Sequence, residues 1–232
     1  MNLRLLAITS GTGVPAQLAC VRTARLLAIL VVATLAAAPR AATAVVITPT
    51  NAIATSANKP DPNPYSAPWN VWNGSALTKS GGDAGILTWT HATDAYGFGM
   101  WQANYQPLAS ITLVLGGAVN LNKIYLWNGT QTGGEGWSRK IKTVDVSTSA
   151  DGVTFSTPTN LTLTSANTNV IEGTQEFPLV ANNVTQIKLH VTSVNGGDTV
   201  MLGEVRFDGT IPEPALIGVL GAVAVAFVRR RA

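Results

Sequence analysis

Residues 186–207 read QIKLHVTSVNGGDTVMLGEVRF, and this stretch decides the fold. Over Gln186–Ser193, Ile187, Leu189 and Val191 fall on one side, and Lys188, His190 and Thr192 on the other. A period of two marks a half-buried strand, because successive side chains point to opposite faces. Asn195-Gly196-Gly197-Asp198 then punctuates the chain, and a second alternation follows. In Met201–Phe207, Val205 and Phe207 pack while Glu204 and Arg206 face away, with Gly203 a small residue where packing is close. The same grammar extends upstream through Ile111–Leu115 (ITLVL), Lys123–Trp127 (KIYLW), Lys142–Thr148 (KTVDVST) and Leu161–Thr164. Val144 and Val146 share one face and Asp145 takes the other, whereas Gly116-Gly117 is expected to end one strand before the next. Asp151-Gly152 reads as a turn, since glycine accepts positive φ and Asp bonds its own backbone. No long amphipathic helix precedes residue 214. The fold class is all-β, a sandwich or barrel.

The two ends have a different composition. Arg22 and Arg25 precede the apolar run Leu26–Ala38, and Ala42-Thr43-Ala44 follows it. Basic flank, short apolar core and small-residue site together describe a secretory signal helix over residues 1–44, cleaved after Ala44. Residues 45–64 form a lead-in that opens with one strand and ends with Pro60, Pro62 and Pro64, which exclude a helix there. The whole chain carries +3 with a pI near 9.2, yet residues 45–211 hold 8 Lys/Arg against 11 Asp/Glu. The basic balance belongs to the ends, so nucleic acid is not the expected partner. The single cysteine, Cys20, lies upstream of the cleavage site, so neither disulfide nor thiol chemistry is expected in the exported domain.

The order ITLVLGGAVNLNKIYLWN, SRKIKTVDVSTSADGVTFS and QIKLHVTSVNGGDTVMLGEVRF resembles the discoidin or coagulation-factor C-type domain, over roughly residues 65–209. The resemblance implies a galactose-binding-like jelly-roll β-sandwich that binds glycans through loops at one end. Three stretches are candidate loops: Asn73–Gly85, His91–Trp101 and Asn128–Arg139. Sugar recognition needs an aromatic plate for the C–H face of the ring and planar polar groups for its hydroxyls. The third loop offers Trp137 beside Arg139, with Glu135 and Asn128 nearby, and the first offers Asp83. A tryptophan on a glycine-rich loop can instead cap the sandwich, and both readings of Trp137 stand. The other tryptophans (Trp69, Trp72, Trp89, Trp101, Trp127) read as core or edge packing.

The resemblance also implies a structural calcium ion, with Glu204, Asn73 and Ser75 as its ligands. Calcium takes six to eight oxygens, carboxylates among them. Here Asn73-Gly74 stands where an Asp-Gly pair is expected, which removes one carboxylate.

Catalytic signatures are sparse. His91 and His190 are far apart, and no Gly-x-Ser-x-Gly occurs. Asp94, Glu135, Glu172 and Glu176 carry no mark that separates a glycosidase pair from ordinary solvated charge. The expected protein is therefore not an enzyme. It is an exported surface or matrix module that binds polysaccharide. A structural exopolysaccharide-matrix protein is the alternative, and a glycoside hydrolase comes third.

Residues 210–232 close the chain. Pro212-Glu213-Pro214, the apolar run Ala215–Val228 and Arg229, Arg230 and Arg231 resemble the PEP-CTERM sorting signal of Gram-negative bacteria. The prolines make an exposed boundary, the apolar helix crosses the inner membrane, and the arginines stay cytoplasmic. The 14-residue run reaches about 21 Å, short of the roughly 30 Å hydrocarbon core, so Ile211–Pro214 and snorkelling arginines are expected to help cover the difference. The resemblance implies an exosortase-type enzyme as partner. It also implies an inner-membrane intermediate and a final location in the cell envelope or outside the cell.

Overall fold

The computed structural model describes residues 44–56, 66–92, 99–129, 131, 136–170 and 173–212. The signal helix, the second half of the lead-in, Glu135, and the sorting segment from Glu213 onward lie outside the described residues. Ten strands carry the fold: β1 (Val45–Ile47), β2 (Asn51–Ala54), β3 (Leu77–Thr78), β4 (Thr90–His91), β5 (Trp101–Gln102), β6 (Ser110–Asn128), β7 (Ile141–Ser149), β8 (Thr159–Thr162), β9 (Gln175–Val194) and β10 (Met201–Thr210). A four-residue helix, α1 (Asn70–Asn73), and two 3-10 turns, Asp83–Thr88 and Gly136–Arg139, complete the described elements. Among the described residues no helix is long and apolar enough to cross a membrane.

The main sheet runs β1-β10-β6-β9-β7-β8, with β2 also on β6 and β5 on β10. Every pairing between these strands is antiparallel. Two strands, β6 and β9, make a sandwich from one continuous ladder. The first part of β6, Ser110–Val114, lies between β2 and residues 186–190 of β9. Its second part, Val119–Leu126, lies between β10 and residues 175–184 of β9. The register slips between Val114 and Lys123, and at these bulges both strands pass from one layer to the other. The sequence suggests separate strands on either side of Gly116-Gly117, but the chain stays extended through both glycines. With no turn to reverse it, the strand bends where its register slips.

The alternation read from the sequence sets the core. Ile187, Leu189 and Val191 of β9 and Val144 and Val146 of β7 are buried together with Val205 and Phe207 of β10. At about 25 cal/mol per Å², burying side chains of this size is worth roughly 1.5–3 kcal/mol each. The Asp151-Gly152 turn forms as expected: Gly152 has φ 75°, and Asp151 Oδ1 accepts from the backbone N–H groups of Val153 and Thr154 at 2.8 and 2.7 Å.

The outer face of β10 departs from expectation. Glu204 and Arg206 do point away from the core, but they are 0% and 1% exposed. Residues 66–92 lie over them, with α1 against β10. Under this cover a second apolar cluster forms, in which Trp89 stacks on Trp127 with ring centroids 6.3 Å apart. A side chain at Gly203 would come within 2.9 Å of the Trp127 carbonyl and 3.2 Å of the His91 ring, so only glycine lets the cover sit this close.

Candidate functional site

One end of the sandwich gathers the turns after β6, β8 and β9, and Trp137 stands there on the Gly136–Arg139 turn. This turn is tied to its neighbours through its backbone. The Trp137 N–H donates to Asn169 Oδ1 at 2.9 Å, and Gly197 N–H donates to the Ser138 carbonyl at 2.9 Å. Asn195 N–H donates to the Lys140 carbonyl at 3.1 Å, while the Asn195 amide reaches Ser165 Oγ at 2.6 Å. Lys140 is wholly buried, and its ammonium donates to the carbonyls of Ala166 and Val170 at 3.2 and 2.6 Å. Two neighbouring loops therefore hold one short turn in place. Trp137 is half-buried on it, and Arg139 is too, with Nη1 donating to Gln131 Oε1 at 3.1 Å.

Asn128 has a different job from the one the sequence suggested. It is 0% exposed; its Oδ1 accepts from Ile141 N–H at 2.9 Å and its Nδ2 donates to the Ile141 carbonyl at 2.7 Å. Both amide atoms are spent joining the end of β6 to the start of β7, leaving none for a sugar hydroxyl. Nor does Asp83 join the Trp137 platform. It lines a lateral cleft of about 400 Å³ on the outer sheet face, together with Tyr125, Lys123, Glu176 and Asp208. Sequence reasoning missed that cleft. Its signal was the charge at positions 123, 176 and 208, which the antiparallel register sets side by side with Tyr125.

The expected calcium ligands do not fit a calcium ion. Glu204 is paired with the Arg206 guanidinium, whose Nη1 donates to Oε1 and also to the Val205 carbonyl at 2.8 Å. Only Glu204 Oε2 is left, buried and without a partner. Asn73 Oδ1 accepts from Ser75 N–H at 2.8 Å, and its Nδ2 donates to Asn70 Oδ1 at 3.1 Å. Among the described residues no three acidic, His or Cys side chains gather. A divalent cation here would meet one free carboxylate oxygen and a permanent positive charge, far short of the oxygen set calcium needs. The Arg206 guanidinium supplies the compensating charge instead. Burial pushes the Glu204 carboxyl up to about 7 against the opposing pull of Arg206, and burial draws Arg206 down.

His91 is buried, with Nδ1 2.9 Å from the Ala92 carbonyl and Nε2 unpartnered. Burial lowers its pKa, so it stays neutral beside Gly203. His190 lies on the outer side of β9, where its Nδ1 meets Ser110 Oγ at 2.8 Å across the ladder. Among the described residues neither histidine has a carboxylate hydrogen-bond partner that would make it a general base.

No protein-family model matches the chain, and no curated protein matches it. Solved structures similar to it are family 32 carbohydrate-binding modules and F5/8 type C domains. CpGH89CBM32-5 from Clostridium perfringens, in complex with GalNAc-β-1,3-galactose, is 20% identical; the match covers 68% of this chain and 93% of that one at a TM-score of 0.46. The family 32 module of C. perfringens NanJ, in complex with galactose, is 18% identical over 72% and 99% at 0.43. An F5/8 type C domain from Bacteroides fragilis is 12% identical over 70% and 92% at 0.45.

Proposed function

We propose that this chain is an exported, non-catalytic carbohydrate-binding module that holds polysaccharide at the cell surface or in the extracellular matrix. One observation supports the reading most: Trp137 and Arg139 stand on a single short turn whose backbone is held by Asn169, Asn195 and Gly197. A tryptophan and an arginine carried on one turn whose backbone is already held would give stacking and hydrogen bonding at little entropic cost. Pyranose rings present an apolar face and a rim of hydroxyls, and the platform offers a counterpart for each. The galactose-containing ligands in the similar solved structures make galactose-bearing glycans the first to try.

The same reading takes the ends as addresses. A leader ending at Ala44 exports the chain, and an exosortase-type enzyme acts at Pro212-Glu213-Pro214 while Ala215–Val228 and Arg229–Arg231 rest in the inner membrane. The platform is tested by retention on a glycan array and on immobilised exopolysaccharide of the host. Wild-type protein is expected to be retained, and Trp137→Ala to lose retention while keeping its melting temperature. A wild-type protein that binds no glycan would favour a structural matrix role. Release of reducing sugar from the same polysaccharide would return a hydrolase to consideration.

A further inference from the structure

The lateral cleft is separate from the Trp137 platform, and its chemistry selects a different ligand. Its floor is the outer face of β6, β9 and β10, where the register aligns Glu176, Tyr125 and Arg206 in one row and Lys123 and Asp208 in the next. One wall is the Asp83–Thr88 turn, with Ile86 and Leu87, and the other is β1, with Val46. Lys123 pairs with Glu176 at 2.9 Å and lies across the ladder from Asp208, so one ammonium serves two carboxylates, and with Asp83 the lining keeps a net negative charge. Tyr125 is 5% exposed and lines the cleft, and among the described residues its hydroxyl has no hydrogen-bond partner. Leu87 adds an exposed apolar surface at 57%.

A ligand that fits must offset the net negative charge of Asp83, Glu176 and Asp208 against Lys123 and supply an acceptor for the Tyr125 phenol. It must also present an apolar face for Ile86, Leu87 and Val46. A uronic acid brings the wrong charge, and a neutral sugar leaves the net negative charge in place. An alkylammonium chain satisfies the charge but offers Tyr125 nothing. We propose that this cleft binds an amine-bearing sugar, whose ammonium sits between Asp83 and Asp208 while an adjacent ring hydroxyl accepts from Tyr125. It makes a second glycan site, independent of Trp137 and selective for polysaccharide that carries free amino groups.

Calorimetric titration of the full chain with a glucosamine tetramer tests this, with the N-acetylglucosamine and galacturonate tetramers as comparisons. The amine-bearing tetramer is expected to bind, and the other two to bind at least about tenfold more weakly at this cleft. Asp208→Asn and Tyr125→Phe should each weaken binding of the glucosamine tetramer about tenfold, and Trp137→Ala should leave it unchanged. Asp208 is only partly buried, so its variant keeps the proposal testable even where Tyr125→Phe fails to fold. Equal binding of the acetylated tetramer, undiminished binding by the Asp208 variant, or no binding by wild type would overturn the proposal. Loss of the glucosamine response with Trp137→Ala would overturn the independence of the two sites. Loss of array retention alone would concern only the platform.

Discussion

The amide of Asn128 shows how one buried side chain can fix a whole end of a sandwich. Its two bonds to Ile141 engage that residue's buried N–H and carbonyl. Asn128→Ala orphans both groups and should cost about 2–3 kcal/mol, read from urea denaturation. Glu204 and Arg206 make the same point with charge. Arg206→Met leaves a buried carboxylate uncompensated and should cost about 3–5 kcal/mol, whereas Glu204→Gln with Arg206→Met should recover much of that loss. Burial raises the folded Glu204 pKa to about 7 from an ordinary 4.5, so the folded state holds the extra proton in that window. Its contribution is therefore fully favourable below about pH 4.5 and is lost as pH rises through 7. Stability measured against pH should fall across that window in wild type and lose this slope in Glu204→Gln. Dialysis against EDTA should leave the melting temperature unmoved, because the guanidinium already neutralises the site. The alternation in MLGEVRF told which way these two residues point; it could not tell that residues 66–92 would cover them.

At the scale of elements, the strands were legible because each carries its own period of two. What joins them was not. The glycines at 116 and 117 look like a strand end, but the slips in register that carry β6 from one layer to the other depend on pairing with β2, β9 and β10, which no local pattern encodes. The short covering elements were invisible for a related reason. Strands of two residues and a four-residue helix have too little sequence to show a period, and they form because β10 and β6 offer Trp127 and Gly203 beneath them. Gly203→Ala tests that account. The added methyl meets the Trp127 main-chain oxygen first and the His91 ring of the cover next, and overpacking of this kind costs about 1–3 kcal/mol. The loss should appear as faster hydrogen exchange in residues 70–91 before the rest of the sandwich opens.

Over the whole molecule, the proposed function divides between a domain and its addresses. A domain without cysteine and with a mild negative charge between Val45 and Ile211 suits an exported module, and a basic whole-chain pI says little about it. If the ends are processed as proposed, intact-mass analysis of the secreted form should find a chain beginning at Val45 and lacking the C-terminal arginines. A secreted form that retains Arg229–Arg231 would contradict the sorting account. The candidate site was partly legible: Trp137 and Arg139, neighbours on a glycine-rich loop in the sequence, stay on one turn in the structure, whereas Asn128 turned inward, and Asp83 belongs to a cleft whose members are spread from residue 44 to 208. The most direct measurement is affinity electrophoresis through a gel containing the host's exopolysaccharide, with wild type and Trp137→Ala run side by side. Binding at the loop platform predicts retardation of wild type and free migration of Trp137→Ala at unchanged melting temperature. Equal retardation of both, or of neither in any glycan tried, would contradict it.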